Sequence, residues 1–120
     1  MLRVAQRTAG EVLREMVEMF ASGDASDAAA IVAVDYLDHQ GLEGKPVRGV
    51  DGFAFVVRMN RAGYEHQEVS IEDLFGTVDR AVARIRWRGR RLDGVDVDRE
   101  TIDIVRVADG HAVEHWGAEA

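Results

Sequence analysis

Residues 101–116 read TIDIVRVADGHAVEHW and contain the strongest fold signal in the chain. A β-rich run from Thr101 to Val107 is separated by Asp109-Gly110 from a second run, Ala112 to Trp116. Both central residues of a tight hairpin turn of this kind need positive φ, and Asp-Gly is a favoured pair there. The stretch therefore predicts a β-hairpin.

Two further strands are indicated upstream of this hairpin, where the pattern takes a period of two. In the first, Val69, Ile71 and Asp73 alternate with Ser70, Glu72 and Leu74. In the second, Ala81, Ala83, Ile85 and Trp87 alternate with Arg80, Val82, Arg84 and Arg86. Each strand is therefore expected to have two unlike faces.

The earlier part of the chain is predicted to be mainly helical. Thr8 and Glu11 match a capping box, which predicts the start of a first helix. Its apolar stripe has three- and four-residue spacing and ends at Ser22-Gly23. The stripe consists of Val12, Leu13, Met16, Met19 and Phe20.

Two more helices are predicted between this helix and the strands. Ser26 with Asp27 can cap a short second helix that runs to Val32, and Asp51 can cap a third. A short strand is expected at Tyr36–His39. The segment from Gln40 to Gly49 contains three glycines and the only proline, which predicts a loop.

Three N-terminal helices followed by an antiparallel meander define an α+β fold. A sheet that curls around one long helix would leave a concave pocket between them. With 120 residues, 47% of them hydrophobic and 31% charged, the chain is expected to form one domain, residues 1–120. The absence of cysteine excludes disulfides, thiolate metal sites and a cysteine nucleophile.

The charge pattern bears on partners and location. A formal net charge of -7 argues against nucleic acid or an anionic membrane as a partner. The arginines between Arg80 and Arg91 are followed by acidic residues between Asp93 and Asp103, and adjacent strands would neutralise both sets. Charges interrupt residues 1–20 and no long apolar run exists, so we expect a cytoplasmic protein without a membrane span or signal peptide.

Together with this architecture, five segments resemble the SnoaL-like polyketide cyclase family, within the nuclear-transport-factor-2-like superfamily. The segments are Asp35–Gln40, Gly52-Phe53, Ser70–Leu74, Asp79–Arg84 and Asp103–Gly117. The resemblance implies a cone-shaped fold, with three N-terminal helices packed on a curved, mostly antiparallel sheet. It also implies a homodimer formed through the outer face of the sheet.

The chain departs from the family pattern at two places. Members often have a Gly-Thr-His segment where this chain has Gly89, Arg90 and Arg91. They also commonly have a carboxylate, the proposed general base, about four residues after the terminal tryptophan. That position is Ala120 here, and Glu119 is beside it.

A cofactor-free cyclase or isomerase needs a base near a carbon acid and a donor for the developing enolate. The resemblance implies catalytic candidates at Asp38, His39, Asp103 and Arg84. His39 would be the proton-transfer group or the donor, Asp103 a base of raised pKa, and Arg84 an oxyanion donor. The alternatives are a histidine bound to a loop carbonyl, an aspartate paired with an arginine, and an arginine on a solvated face or dimer interface.

Aromatic residues and a second histidine are the candidates for substrate binding. They are Tyr36, Phe53, Trp87, His115 and Trp116. Core packing would explain most of them, and the polar atoms of Tyr36 and Trp116 suit a cavity rim. His111 and His115 would lie roughly 13 Å apart along a strand, so no metal site is expected.

Two functions follow as hypotheses. The first is a cofactor-independent cyclase or isomerase that acts on a hydrophobic oxygenated metabolite such as a polyketide. The second is a non-catalytic module of the same fold that binds a small ligand or serves for dimerisation. A cup filled by its own side chains would favour the second.

Overall fold

The hairpin, the strands and the helices can be located in a computed structural model that describes residues 6–120. Residues 1–5, the first part of the segment considered above for a signal peptide, lie outside the described residues. The two α-helices are α1 (Ala9–Ser22) and α2 (Gly49–Ala62). The strands are β1 (Val32–Leu42), β2 (Lys45–Arg48), β3 (Tyr64–Gly76), β4 (Arg80–Arg91), β5 (Asp96–Ala108) and β6 (His111–Glu119).

All six strands form one sheet in the order β2-β1-β6-β5-β4-β3. Every neighbouring pair is antiparallel except β1 and β6, which are parallel. The predicted turn between β5 and β6 is confirmed, because Asp109 has φ 52 and Gly110 has φ 73. The fold is thus α+β, with a mostly antiparallel sheet.

The expectation of three N-terminal helices is wrong, since the described chain has two α-helices. The predicted second helix is a three-residue 3₁₀ turn, Ala28–Ala30, and the side chain of Asp27 makes no capping hydrogen bond to it. Ile31 closes this turn and Val32 already begins β1. A β-branched residue favours the strand, and so short a segment cannot offset the cost of helix nucleation.

The first helix begins where the sequence predicts. The Thr8 hydroxyl accepts a hydrogen bond from the backbone N–H of Glu11, and the Glu11 carboxylate accepts one from that of Thr8. Gly23 ends the helix in the left-handed conformation, with φ 76. The third predicted helix is also present as α2, although it starts at Gly49 rather than at Asp51.

The predicted loop from Gln40 to Gly49 is in fact a hairpin. β1 continues to Leu42, the chain turns at Glu43 and Gly44, and β2 pairs back on β1. Both turn residues have positive φ, 52 and 77. Three glycines and a proline indicated the turn correctly but not the edge strand. Proline is tolerated in an edge strand because such a strand pairs on one side only.

The inner face of the sheet packs on the helices, and its outer face is polar in large part. On β4 the alternate residues Ala81, Ala83, Ile85 and Trp87 are buried. The arginines of the other face pair with β5 as expected, Arg84 with Glu100 and Arg86 with Asp98. Among residues 6–120 no helix has the length and apolar character needed to cross a membrane.

Candidate active site

A cavity of about 310 Å³ lies between the two helices and the inner face of the sheet. The helices supply apolar side chains to its wall: Leu13, Met16, Val17, Phe20, Phe53, Val56 and Met59. The sheet supplies polar ones, which include Tyr36, Asp38, Thr101, Asp103 and His115. The cavity is therefore an apolar space with one polar wall, which is the usual form of a small-molecule site.

A buried histidine between two buried aspartates is the main feature of the polar wall. His115 Nδ1 lies 2.7 Å from Asp38 Oδ1, and His115 Nε2 lies 2.7 Å from Asp103 Oδ1. Asp38 and His115 are register partners across the parallel pair β1 and β6, and Asp103 comes from β5 on the other side. Three strands thus bring one imidazole and two carboxylates together.

Both aspartates are held by further hydrogen bonds. The Thr101 hydroxyl donates to Asp103 Oδ2 at 2.7 Å, and the Trp87 indole N–H donates to Thr101 Oγ1 at 2.9 Å. Asp38 Oδ1 accepts from the backbone N–H groups of Gln40 and Gly41. These contacts fix both carboxylates relative to the ring between them.

Gly41 is required for the contact with Asp38. Its φ is +55, and a Cβ placed there would lie 1.8 Å from the Lys45 carbonyl oxygen of the neighbouring strand. Only glycine combines this conformation with this close approach. The glycine-rich segment thereby places two backbone donors on the Asp38 carboxylate.

The charges of this cluster follow from its hydrogen bonds. Burial disfavours the charged form of His115, but hydrogen bonds to Asp103 and Asp38, with their negative charges, outweigh burial and raise its pKa to about 9. Burial alone would raise the pKa of Asp38. The bond and charge of His115 and the two backbone donors reverse this and lower that pKa. At neutral pH His115 is therefore an imidazolium beside an ionised Asp38.

An edge-to-face row of aromatic rings forms another part of the cavity wall. Tyr36 contacts Phe53, Phe53 contacts Phe20, and Phe20 contacts Trp87, with ring centroids 5.7 to 6.0 Å apart. The row joins strands and both helices around the cavity. Such contacts fix ring positions, so this wall is pre-formed.

The structure brings six of the predicted site residues together at the cavity: Tyr36, Asp38, Phe53, Trp87, Asp103 and His115. The other three predicted site residues, His39, Arg84 and Trp116, do not line the cavity. His39 is on the opposite face of β1, where its ring stacks on Trp116 at 5.0 Å and contacts Glu114. Arg84 is also on the outer face, paired with Asp73 and Glu100.

Strand geometry explains these three positions. Adjacent residues of a strand point to opposite faces, so Asp38 and His39 cannot both face the cavity, and neither can His115 and Trp116. Arg84 likewise alternates with the buried Ala83 and Ile85. The expectation that His39 and Arg84 border the pocket is therefore not met by their positions.

Four polar residues of the cavity wall were not predicted from the sequence: Gln40, Asn60, Arg99 and Thr101. A signal was available for Thr101, because it lies two residues before Asp103 and so shares its face. Arg99 lies two residues earlier on the same face, with its guanidinium 5.4 Å from the Trp87 ring centroid. It pairs with Glu119, whose side chain is 64% exposed. Glu119 is not among the residues that line the cavity.

The cluster does not have the geometry of a metal site. Asp38 and Asp103 bind opposite nitrogens of the same ring, so the three side chains do not converge on one point. Within residues 6–120 no group of three or more His, Asp or Glu side chains could hold a metal ion.

Fold and site together define an α+β protein with helices packed on one six-stranded sheet and a buried histidine–carboxylate cluster at the wall of an apolar cavity. The chain belongs to the SnoaL-like polyketide cyclase family, whose family model matches residues 10–119. No protein of curated description matches the chain.

Solved structures agree with this assignment. A loop-truncation variant of IdmH is 26% identical over 93% of this chain and 92% of that chain, with a TM-score of 0.78. Wild-type IdmH is a proposed polyketide cyclase from Streptomyces antibioticus. A proposed polyketide cyclase from Bacillus cereus is 27% identical over 91% of this chain and 72% of that chain, with a TM-score of 0.79.

A more distant structure shows the same fold at low sequence identity. A SnoaL-like polyketide cyclase from Agrobacterium tumefaciens is 13% identical over 96% of this chain and 93% of that chain. Its TM-score is 0.79. The α+β fold thus persists where few residues are shared.

Proposed function

We propose that this protein is a cofactor-independent enzyme of the cyclase or isomerase type, acting on a hydrophobic oxygenated metabolite such as a polyketide. The observation that carries the proposal is the buried Asp38–His115–Asp103 cluster at the wall of an apolar cavity. Groups of this kind transfer protons, and an apolar site strengthens their effect on a bound carbon acid.

Asp38 is the proposed base. Its Oδ1 accepts three hydrogen bonds, whereas its Oδ2 has no partner among the described residues. Because every buried side-chain N or O atom described does have a partner, Oδ2 must retain accessible surface at the cavity. The C–H bond next to a substrate carbonyl would break, its proton would move to Oδ2, and its electron pair would form the enolate.

His115 and Asp103 are proposed to position and tune this base. The imidazolium keeps Asp38 ionised and ready to accept a proton. Asp103, held by Thr101, binds the other ring nitrogen and keeps the ring charged. When Asp38 takes up the substrate proton, the cluster loses one negative charge and the substrate oxygen gains it, so the net charge of the site is unchanged.

The cavity indicates the substrate class. A volume of about 310 Å³ lies at the lower end for small-molecule sites, which suits a compact ligand of two or three fused rings or an equivalent chain. The aromatic row supplies flat apolar surfaces, and the polar wall lies along one side only. A flat, mainly apolar molecule with a carbonyl at one end fits this arrangement.

Solvent exchange into 2-tetralone, a bicyclic ketone with acidic α-protons, tests the proposal without knowledge of the natural substrate. In D₂O, the wild type is expected to accelerate deuterium uptake at the α-carbon, as followed by proton NMR. Asp38→Asn should reduce the enzyme-catalysed rate at least 100-fold. Asp35→Asn, the same change at an exposed position of β1, should leave the rate unchanged.

An exchange rate equal to that in buffer alone would refute the enzymatic proposal. Equal rates in the Asp35→Asn and Asp38→Asn variants would refute the assignment of the base. Folding of each variant is checked by circular dichroism, because the loss of one charge from a buried cluster can destabilise the protein.

A binding module of the same fold is the second candidate function. Ala120 occupies the position at which the family commonly has a carboxylate, and the neighbouring Glu119 pairs with Arg99 instead of facing the cavity. Binding of 2-tetralone without catalysed deuterium exchange would favour the binding module. Exchange that depends on Asp38 would favour the enzyme.

A further inference from the structure

The hydroxyl of Tyr36 is unusual among the polar groups of the cavity. The residue is 1% exposed and lines the cavity. Its ring is fixed edge-to-face on Phe53. No described residue forms a hydrogen bond with its hydroxyl, although every buried side-chain N or O atom described does have a partner. The hydroxyl must therefore hold the small accessible surface of this residue, at the cavity.

The other buried donors of the polar wall are already engaged. Both ring N–H groups of His115 donate to aspartates, the Thr101 hydroxyl donates to Asp103, and the Trp87 N–H donates to Thr101. A substrate oxygen that enters this end of the cavity would have to break one of these bonds or bind the Tyr36 hydroxyl. A free donor needs no such rearrangement, and a donor already in place is worth most in an apolar site.

We propose that the Tyr36 hydroxyl donates a hydrogen bond to the substrate carbonyl oxygen and stabilises the negative charge that forms there. Tyr36 and Asp38 are two residues apart on β1 and face the same side of the sheet. The donor and the proposed base thus act on one bound carbonyl compound, the base at the α-carbon and the donor at the oxygen. This inference rests on the proposed function and adds the group that recognises the substrate.

The hydroxyl stays protonated during this reaction. Burial, followed by the nearby charges of Asp38 and Asp103, raises the pKa of Tyr36 well above its usual value. A phenol in this setting donates a hydrogen bond without losing its proton. In the proposed step the proton therefore moves only from the substrate carbon to Asp38 Oδ2, and the electron pair moves to the substrate oxygen.

Two probes of similar shape separate this role from general apolar binding. 2-Naphthol carries an oxygen where 2-methylnaphthalene carries a methyl group. The wild type should bind 2-naphthol more tightly by roughly 3- to 10-fold, the contribution of one hydrogen bond. Tyr36→Phe should remove this preference but bind 2-methylnaphthalene as tightly as the wild type does. Tyr64→Phe is the matched control, because Tyr64 does not line the cavity.

Three results would overturn the inference. The first is a wild type with no preference for 2-naphthol, and the second is a Tyr36→Phe variant that keeps the preference. The third is loss of the preference in Gln40→Ala alone, since the exposed Gln40 amide also lines the cavity. Because the Tyr36 hydroxyl has no protein partner to lose, Tyr36→Phe should unfold at the wild-type temperature, which keeps the comparison valid.

The exchange reaction distinguishes this inference from the proposed function. Tyr36→Phe should slow deuterium uptake into 2-tetralone by roughly 100-fold. Exchange at the full wild-type rate in Tyr36→Phe would refute the role of Tyr36 and leave the proposed function intact. A wild type that prefers 2-naphthol but catalyses no exchange would refute the proposed function and reduce Tyr36 to a ligand-binding donor.

Discussion

At the scale of single residues, the place of His115 at the cavity could be predicted from the sequence, but its pairing with Asp38 could not. From the sequence, His115 was predicted only as a binding residue, whereas His39 was predicted as the proton-transfer group or the enolate donor and Asp103 as a base. Two adjacent residues, Asp38 and His39, cannot share a strand face, so the choice of Asp38 already argued against His39. The pairing of Asp38 with His115 depends on strand register, which no local pattern indicates.

Gly117 permits the contact between β5 and β6 at the site. It is the register partner of Asp103, and a Cβ there would lie 2.7 Å from Asp103 Oδ1 and 2.5 Å from Gln40 Oε1. Gly117→Ala should therefore displace the Asp103 carboxylate from His115. We expect a 10- to 100-fold slower exchange rate, since misplacement of about 1 Å has effects on the order of 100-fold.

Gly10→Ala is the control for this change. Its nearest neighbour to an added Cβ is the Thr8 Oγ1 atom at 4.0 Å, and the position lies in α1. The variant should keep the wild-type exchange rate. An unchanged rate in Gly117→Ala would contradict the proposed importance of the Asp103 position.

At the scale of elements, local chemistry predicted some features and long-range pairing decided the others. The hairpin of β5 and β6 was predictable because Asp109-Gly110 specifies its turn. The parallel pairing of β1 with β6 was not predictable. It joins residues that are far apart in sequence, such as Asp38 and His115, and no local sequence pattern in either strand specifies it. The helical pattern of Ala28–Ala30 was overridden by the strand that begins at Val32.

The capping box of α1 gives a prediction for this element. Thr8→Ala should lower the free energy of unfolding by about 1 kcal/mol, because the first turn loses its side-chain acceptor. Urea denaturation followed by circular dichroism measures the change. Thr77→Ala, at a turn between strands, should cost less, and an equal or larger cost there would argue against a specific capping effect.

At the scale of the whole molecule, the outer face of the sheet has apolar residues that no element of the described chain fully buries. Val82, Ile104 and Trp116 are neighbours across three strands of this face and are each half-buried in the single chain. Ion pairs such as Arg84 with Glu100 lie beside them. A mixture of apolar groups and arginine is typical of protein interfaces.

We propose that two copies pair through this face, as the family resemblance also implies. Light scattering should give about twice the chain mass of 13.3 kDa at micromolar concentration. Ile104→Arg should reduce the mass to that of one chain, and Val78→Arg, in an exposed turn, should not. A wild-type mass of one chain would contradict the proposal.

The charge of His115 also links pH to the stability of the whole molecule. Its pKa is raised from 6.5 to about 9 in the folded protein, so its stabilising effect is complete below pH 6.5 and is lost as the pH rises through 9. We expect a loss on the order of 3 kcal/mol over this range. Asp38 acts in the opposite direction, since its pKa is lowered and its contribution is lost on acidification.

Chemical denaturation at several pH values tests this dependence. His115→Gln should weaken the decline between pH 6.5 and 9, because the titrating ring is gone. His66→Gln, the same change at an exposed residue, should retain the wild-type decline. Equal declines in both variants would show that another group causes it.

The protonation of the His115 ring is the most direct test of the proposed acid–base cluster. Nitrogen-15 NMR of the wild type should show both ring nitrogens protonated at pH 7.5, with loss of one proton near pH 9. Comparison with His115→Gln assigns the signals. A ring that is neutral at pH 7.5, with a single N–H, would contradict the imidazolium between two carboxylates on which the proposed base and its tuning depend.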